Sequence, residues 1–381
     1  MKGYIGPDMR ILILDYLHWN AGQKRCYNLP WIFPLRDPIH GTYAGTQFDP
    51  TSFPLSNLRK KLMTDYVLVY YNNVAGYTLG KIWGKTATAP NLKDAQFEDG
   101  AIIIKLALTD ATADYWSPME GAQTWELFPP VPNPNGSPIP IAPKKVVKAA
   151  FFQFDIIVKD TKTSPKTGWV FATLVYDKSV LGAWDRMVPM GAMWGNDPNL
   201  NSVFTPNATL HASIVNPLAA LYSVETLGWG GRLSGPNDEA ASENNIANGQ
   251  LLPRASISSC MSCHETAEWR VKTPPVPVLP LSANNPTDPS QSFSYIHAPG
   301  LPTWSDWSQD RPGNVPQNAG ATVLDYDMNM TFKALPLWQH YSNPLPAARA
   351  ALSNELPTQV QPILLNPADI TQRGRRFREP E

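Results

Sequence analysis

Two cysteines three positions apart, with a histidine directly after the second, stand at Cys260-Met261-Ser262-Cys263-His264. Residues three apart share one face of a helical turn. On such a turn the two sulfurs are spaced to add across the two vinyl groups of one porphyrin, and the next imidazole reaches the iron as its proximal ligand. A zinc site built on the same pair needs about four protein ligands. The chain offers one further cysteine, Cys26, and no second Cys-x-x-Cys. A thioredoxin-type dithiol needs a strand–helix setting in a parallel fold, and the surrounding sequence does not provide one. The expectation is therefore one covalent haem c, with its iron, held by Cys260, Cys263 and His264. Ser258 or Ser259 can cap the attachment helix. Glu265, Ala267, Glu268 and Arg270 read as its continuation, and Thr273-Pro274-Pro275 as its stop.

The opposite side of the iron decides between a carrier and a catalyst. A methionine or histidine there closes the site, whereas an open position admits small molecules. Met328 and Met330 lie downstream of His264, but their alternation with Tyr326 and Phe332 reads as one strand face, for which core packing is the commoner role. Met187, Met190 and Met193 share the stretch Arg186–Trp194, read as a loop able to reach a haem. Met328, Met330 and Met190 are taken as the distal candidates. His211, His297 and His340 are weaker ones, since a lone loop histidine is more often a hydrogen-bonding residue than a ligand. His18 and His40 have no supporting context. Cys26, beside Lys24 and Arg25, reads as an ordinary buried thiol. Arg232 reads equally as a propionate partner and as plain surface. Asp325 and Asp327 read as solvated loop carboxylates.

The elements that must hold these residues are mostly strands. Of 381 residues 39 are proline, against an average of roughly 5%, and interior proline breaks helices. Thirteen tryptophans and fourteen tyrosines favour strands. Tyr66–Tyr71, Ala101–Leu108, Thr124–Phe128, Val146–Val158 and Trp169–Tyr176 read as strands, the last two as a hairpin turning at 164–168. Tyr77–Trp83 reads as the hairpin partner of Tyr66–Tyr71, turning at Asn72-Asn73. The segments 57–62, 218–225 and 347–356 read as helical. Apolar residues on both faces of the long strands imply that both faces are covered. The expected fold is mainly β, an antiparallel sandwich-like body with long Pro-rich loops, a few short helices and the haem on one of them. Residues 1–250 read as the β-rich body and 251–381 as the haem-attachment region. The Pro-rich stretches 129–143 and 274–289 equally fit long loops of one continuous domain.

Ser259–His264 resembles the attachment segment of bacterial monohaem c-type cytochromes. Lys148–Tyr176, with Lys166-Thr167-Gly168-Trp169-Val170-Phe171-Ala172-Thr173, resembles a strand pair of large, β-rich bacterial cytochrome c family proteins of unassigned role. Cytochrome P460-type proteins are similar at the level of a β-rich haem fold. These resemblances imply export, haem c and redox work. The expected role is electron transfer with a redox partner protein; the alternative is a haem c enzyme, a peroxidase or small-molecule oxidase, with an open distal site. Haem c is usually attached outside the cytoplasm, so a periplasmic or extracellular location is expected, although Met1–Pro7 and the short apolar run Ile11–Leu14 do not form a secretory signal. A net charge of −1 gives no argument for nucleic acid, and no run is long enough to span a membrane.

Overall fold

The computed structural model describes residues 28–29, 36–37, 40–48, 53, 63–84, 89–131, 141, 145–182, 186–200, 209–224, 226–238, 245–247, 250–252, 259–269 and 309–342. Residues 1–338 form one compact unit and 339–381 a second; the large sheet and the Cys260–His264 motif belong to the first. Cys26, His18, His297 and the expected helices at 57–62 and 347–356 lie outside the described residues, as do 274–289 and most of 129–143.

One antiparallel sheet of eight strands organises the first unit. Its strands are β1 (Tyr43–Phe48), β2 (Met63–Tyr71), β3 (Ile102–Thr109), β4 (Thr124–Leu127), β5 (Val147–Lys159), β6 (Trp169–Tyr176), β7 (Met187–Met193) and β8 (Ser213–Val215). The order is β1-β2-β3-β5-β6-β7-β8, with β4 paired to the first residues of β5. Smaller antiparallel pairs are β9 (Asn245–Ala247) with β10 (Gln250–Leu252), and β11 (Glu268–Trp269) with β12 (Thr322–Val323). The mainly β class and the β5–β6 hairpin agree with the sequence. Both faces of β2, β5 and β6 are largely buried. Among the described residues, helices and loops lie over them, and no second large sheet makes a sandwich.

Four local readings are corrected. Residues 73–83 form helix α1 (Asn73–Trp83), not a strand. The Asn72 side chain accepts from Ala75 N and Ile102 N, both at 3.0 Å, so it caps the helix and ties its start to β3. Ala75, Thr78, Leu79 and Ile82 then recur at helical spacing and are buried. The stretch read as a methionine loop is strand β7. Its proline falls where the register with β6 shifts, between Thr173↔Gly191 and Leu174↔Pro189, a place in a sheet that tolerates a missing donor. Glu268 does not continue the helix that begins at Cys260 but starts β11. Tyr326, Met328, Met330 and Phe332 do not alternate on a strand. A helix starts at Met328, passes through a π-turn at Met330–Ala334 and continues as Leu335–Ser342. The wide turn ends directly before Pro336, which has no amide to bond back along the helix.

The register builds rows across one face of the sheet, because directly paired residues share a face. Tyr71, Ile103, Ile157, Phe171 and Met193 make one row. Val69, Lys105, Asp155, Thr173 and Gly191 make the next. On this face the chain lays residues 259–269 and 309–338.

Candidate functional site

The Cys260–His264 motif is a helix of its own, α3 (Cys260–His264; the helix 221–224, α2, precedes it). Ser259 caps it. Its hydroxyl accepts from Ser262 N at 3.0 Å while the Ser262 hydroxyl accepts from Ser259 N at 2.7 Å, so two of the helix-end amides find partners. Ser259 Oγ also donates to Asn196 Oδ1 at 2.8 Å, and Cys260 N donates to Leu233 O at 3.0 Å. The cap therefore fixes both the helix and its seat on the body. The seat is tight at its edges: Asn196 Nδ2 donates to Glu265 Oε2 (3.1 Å) and Gln309 O (2.6 Å).

Both thiols are free of disulfides; Cys260 is buried and Cys263 half-buried. Cys260 Sγ lies 4.0 Å from Thr173 Oγ1. Thr173 gives its proton to Asp155 Oδ1 at 2.8 Å, which leaves its oxygen as an acceptor toward the thiol. Asp155 is further held by Lys105 Nζ at 3.2 Å and by Gln153 Nε2 at 3.0 and 2.9 Å. Gln153 Oε1 in turn accepts from Asn237 N at 2.7 Å, and a β-carbon on Gly235 would overlap the Gln153 side chain. The Cys260 end of α3 thus rests on a closed, hydrogen-bonded polar row rather than on plain hydrocarbon.

His264 is held on two sides. Its Nδ1 lies 2.8 Å from the Tyr326 carbonyl. A carbonyl only accepts, so Nδ1 carries the proton and the lone pair sits on Nε2. The Phe171 ring packs edge-on against the imidazole at 4.9 Å and lies 6.2 Å from the Tyr326 ring. Metal-binding histidines almost always donate their second ring nitrogen in this way, which sets the tautomer and the ring plane. The donor set fits a haem on this count. A porphyrin brings four nitrogens of its own and asks one or two ligands of the protein.

The turn that supplies the carbonyl is unusual. Asp325 and Tyr326 both have left-handed backbones, with φ of 44° and 69°. Asp325 is fully buried. It accepts from Lys159 Nζ (2.8 and 3.0 Å), Trp169 Nε1 (2.8 Å) and Phe97 N (2.8 Å). Burial pushes its carboxyl above the usual carboxylate range, and Lys159 opposes the rise. Asp327, also buried, accepts from Tyr71 Oη at 2.9 and 3.1 Å and from Met330 N at 3.1 Å. Burial raises it to about 6 against the pull of those bonds. Burial likewise drives Glu265 well above its ordinary value, with Arg311 opposing. The reading of Asp325 and Asp327 as solvated is therefore corrected, and the partners come from β2, β5 and β6, far away in the chain.

The other candidates scatter. Met328 and Met330 are buried at the start of the helix that begins at Met328, two and four residues beyond Tyr326. Met190 is buried within the register break of β7. Met193 is the methionine placed directly across from Phe171. His211 is largely exposed, with Nδ1 3.9 Å from Asp197. His40 stacks on Trp125 at 4.7 Å. Arg232 is 1% exposed and grips backbone carbonyls of Asn196 (2.7 Å), Asp197 (3.0 Å) and Leu200 (2.8 Å), so it buttresses the loop that carries Asn196. No helix among the described residues is long and apolar enough to cross a membrane. Comparison with protein-family models, with curated proteins and with solved structures gave no match.

Proposed function

We propose that the chain is a c-type cytochrome that binds one covalent haem and acts in electron transfer, in the periplasm or outside the cell. The observation that carries the reading is the pairing of Cys260-x-x-Cys263-His264 on one capped turn with the His264 Nδ1 contact to Tyr326 O at 2.8 Å. Cys260 and Cys263 would hold the haem as thioethers, and His264 would bind the iron. The haem supplies a one-electron iron couple. The chain supplies the rest. The Ser259 cap and the polar row under Cys260 fix the helix. The Tyr326 carbonyl keeps the proton on Nδ1. Phe171, standing on the central strand β6, keeps the imidazole from turning. A rigid sheet behind the ligand suits a carrier, since little needs to move when the charge changes. The physiological electron donor or acceptor would be a partner protein.

The test is acid–acetone extraction of the protein matured in an exporting host, followed by visible spectra of the reduced form with and without carbon monoxide. Haem that stays with the polypeptide, and is lost from Cys260→Ser/Cys263→Ser, supports covalent attachment. Extraction of the haem from the unaltered protein would sink it. A reduced spectrum unmoved by carbon monoxide supports the carrier; rapid carbon monoxide binding would instead favour a haem enzyme.

A further inference from the structure

We propose that Asp325 is the positioning residue for His264, acting through the left-handed turn whose Tyr326 carbonyl accepts the His264 Nδ1 proton. The inference rests on the reading of His264 as the iron ligand. Three observations carry it. First, consecutive left-handed residues are costly for side-chain-bearing amino acids, and tyrosine has no short polar side chain that could bond back to its own backbone. Asp325 and Tyr326 hold this conformation nonetheless, at φ 44° and 69°. The turn is closed locally by Asp327 N donating to Leu324 O at 2.9 Å, and Met328 N also donates to Tyr326 O at 3.1 Å. One bond across the turn leaves two side-chain-bearing residues in this conformation, and contacts from outside the turn support it. Second, the Asp325 carboxylate is where the outside takes hold. It accepts from a lysine on β5, an indole on β6 and a backbone amide at Phe97. These three donors come from three segments, and together with the buried side chain they leave the turn one position. Third, the surroundings are built to the carboxylate. A β-carbon on Gly313 would overlap it, and the Gly313 carbonyl is itself held by Gln96 Nε2 at 3.1 Å. Lys159 also lies over the Trp169 ring, 5.0 Å from its centre, so cation, indole and carboxylate form one block.

The consequence runs through the next residue. Tyr326 O points at His264 with Asp325 fixing the peptide before it and the Asp327 N bond to Leu324 O holding the peptide that carries it, and Tyr326 Oη donates to Arg311 O at 2.7 Å on the other side. A carbonyl aimed at Nδ1–H makes the imidazole a stronger donor to a metal, and losing such a partner typically costs about tenfold or more in the ligand's hold on the metal. Releasing Asp325 should let the carbonyl drift and so favour the reduced form of the iron.

The test compares the haem-loaded protein with Asp325→Asn and Trp169→Phe. Asparagine keeps the shape and tolerates the left-handed backbone but cannot serve all three donors. Phenylalanine removes only the indole N–H and decides the matter if Asp325→Asn does not fold. The readouts are the reduction potential by mediator titration and the near-infrared and visible bands of the His-ligated iron. We expect a rise of about tenfold in the equilibrium constant for reduction of Asp325→Asn, equivalent to 59 mV for a one-electron couple, and a smaller shift of the same sign in Trp169→Phe. Unaltered potential and bands in a variant that retains its haem would overturn the role of Asp325 while leaving the haem reading standing. An unaltered protein without covalent haem would overturn both.

Discussion

Asp327 should make the fold lose stability as the pH rises. Its carboxyl sits fully enclosed, with Tyr71 and the Met330 amide as donors, and burial lifts it from 3.8 to about 6. A folded value above the unfolded one means that the native state binds the proton more tightly. The contribution is then complete below about pH 3.8 and is lost as the pH climbs through 6. At 1.36 kcal/mol per tenfold, the full difference is on the order of 3 kcal/mol, of which about 2 to 3 kcal/mol falls between pH 4 and pH 8. Glu265 and Asp325 are raised as well, so the slope of the unaltered protein alone does not isolate Asp327. The perturbation is Asp327→Asn, which removes this titration and leaves the other two. The assay is urea unfolding of both proteins at each pH from 4 to 8. The stability of the unaltered protein minus that of Asp327→Asn should fall by about 2 to 3 kcal/mol across the range, most steeply at about pH 5, midway between the unfolded and folded values, and flatten above pH 7. A difference that stays flat, or that grows with pH, would refute the reasoning.

Two further outcomes are expected from the seat of α3. Ser259→Ala removes the acceptor for Ser262 N and the donor to Asn196, and should cost about 1–2 kcal/mol in chemical denaturation; a loss below a few tenths would mean the cap is redundant. Lys105→Met takes the cation from the buried Asp155, 3.2 Å away. Leaving such a charge without its partner should cost about 3–5 kcal/mol. An unchanged unfolding midpoint would show that Thr173 and Gln153 suffice to hold the carboxylate.

The long strands are legible in the sequence because their signal is local. Val146–Val158 and Trp169–Tyr176 are rich in β-branched and aromatic residues on both faces, which marks strands covered on both sides. The capped motif is legible for the same reason, since Ser259 and Ser262 sit inside the turn they cap. Sequence and structure part where one residue type serves two purposes. Asn72-Asn73 fits a hairpin turn and a helix start equally, and the choice is made by Ile102, which donates to the Asn72 side chain from 30 residues away. Met187–Met193 carries Gly and Pro, yet a register break absorbs the proline. Around His264 the residues that escape the sequence are those whose role is set by distance in the chain. Tyr326 acts through its backbone, which no side-chain pattern reports. Asp325 and Asp327 look like solvent-facing acids until Lys159, Trp169 and Tyr71 are brought over them. Phe171 reads as one residue of a strand, with no sign that its ring meets the imidazole.

The sheet's order has a bearing on how the molecule is assembled in time. From β1 to β8 almost every neighbour in the sheet is also a neighbour in sequence, so the wall behind α3 can form from contacts close along the chain. The enclosure of α3 is different. Cys260 meets Thr173 from 87 residues away, and His264 meets Tyr326 across 62. The second of these joins only once the segment after residue 309 arrives. With Cys260 buried against Thr173 in the finished fold, the thioether chemistry of the proposed reading would fall after the motif is made and before α3 settles on the sheet. On the proposed reading haem attachment would compete with the chain's own closure over α3, and loosening the seat of α3, as Ser259→Ala does, should lengthen the time in which the sulfur stays open.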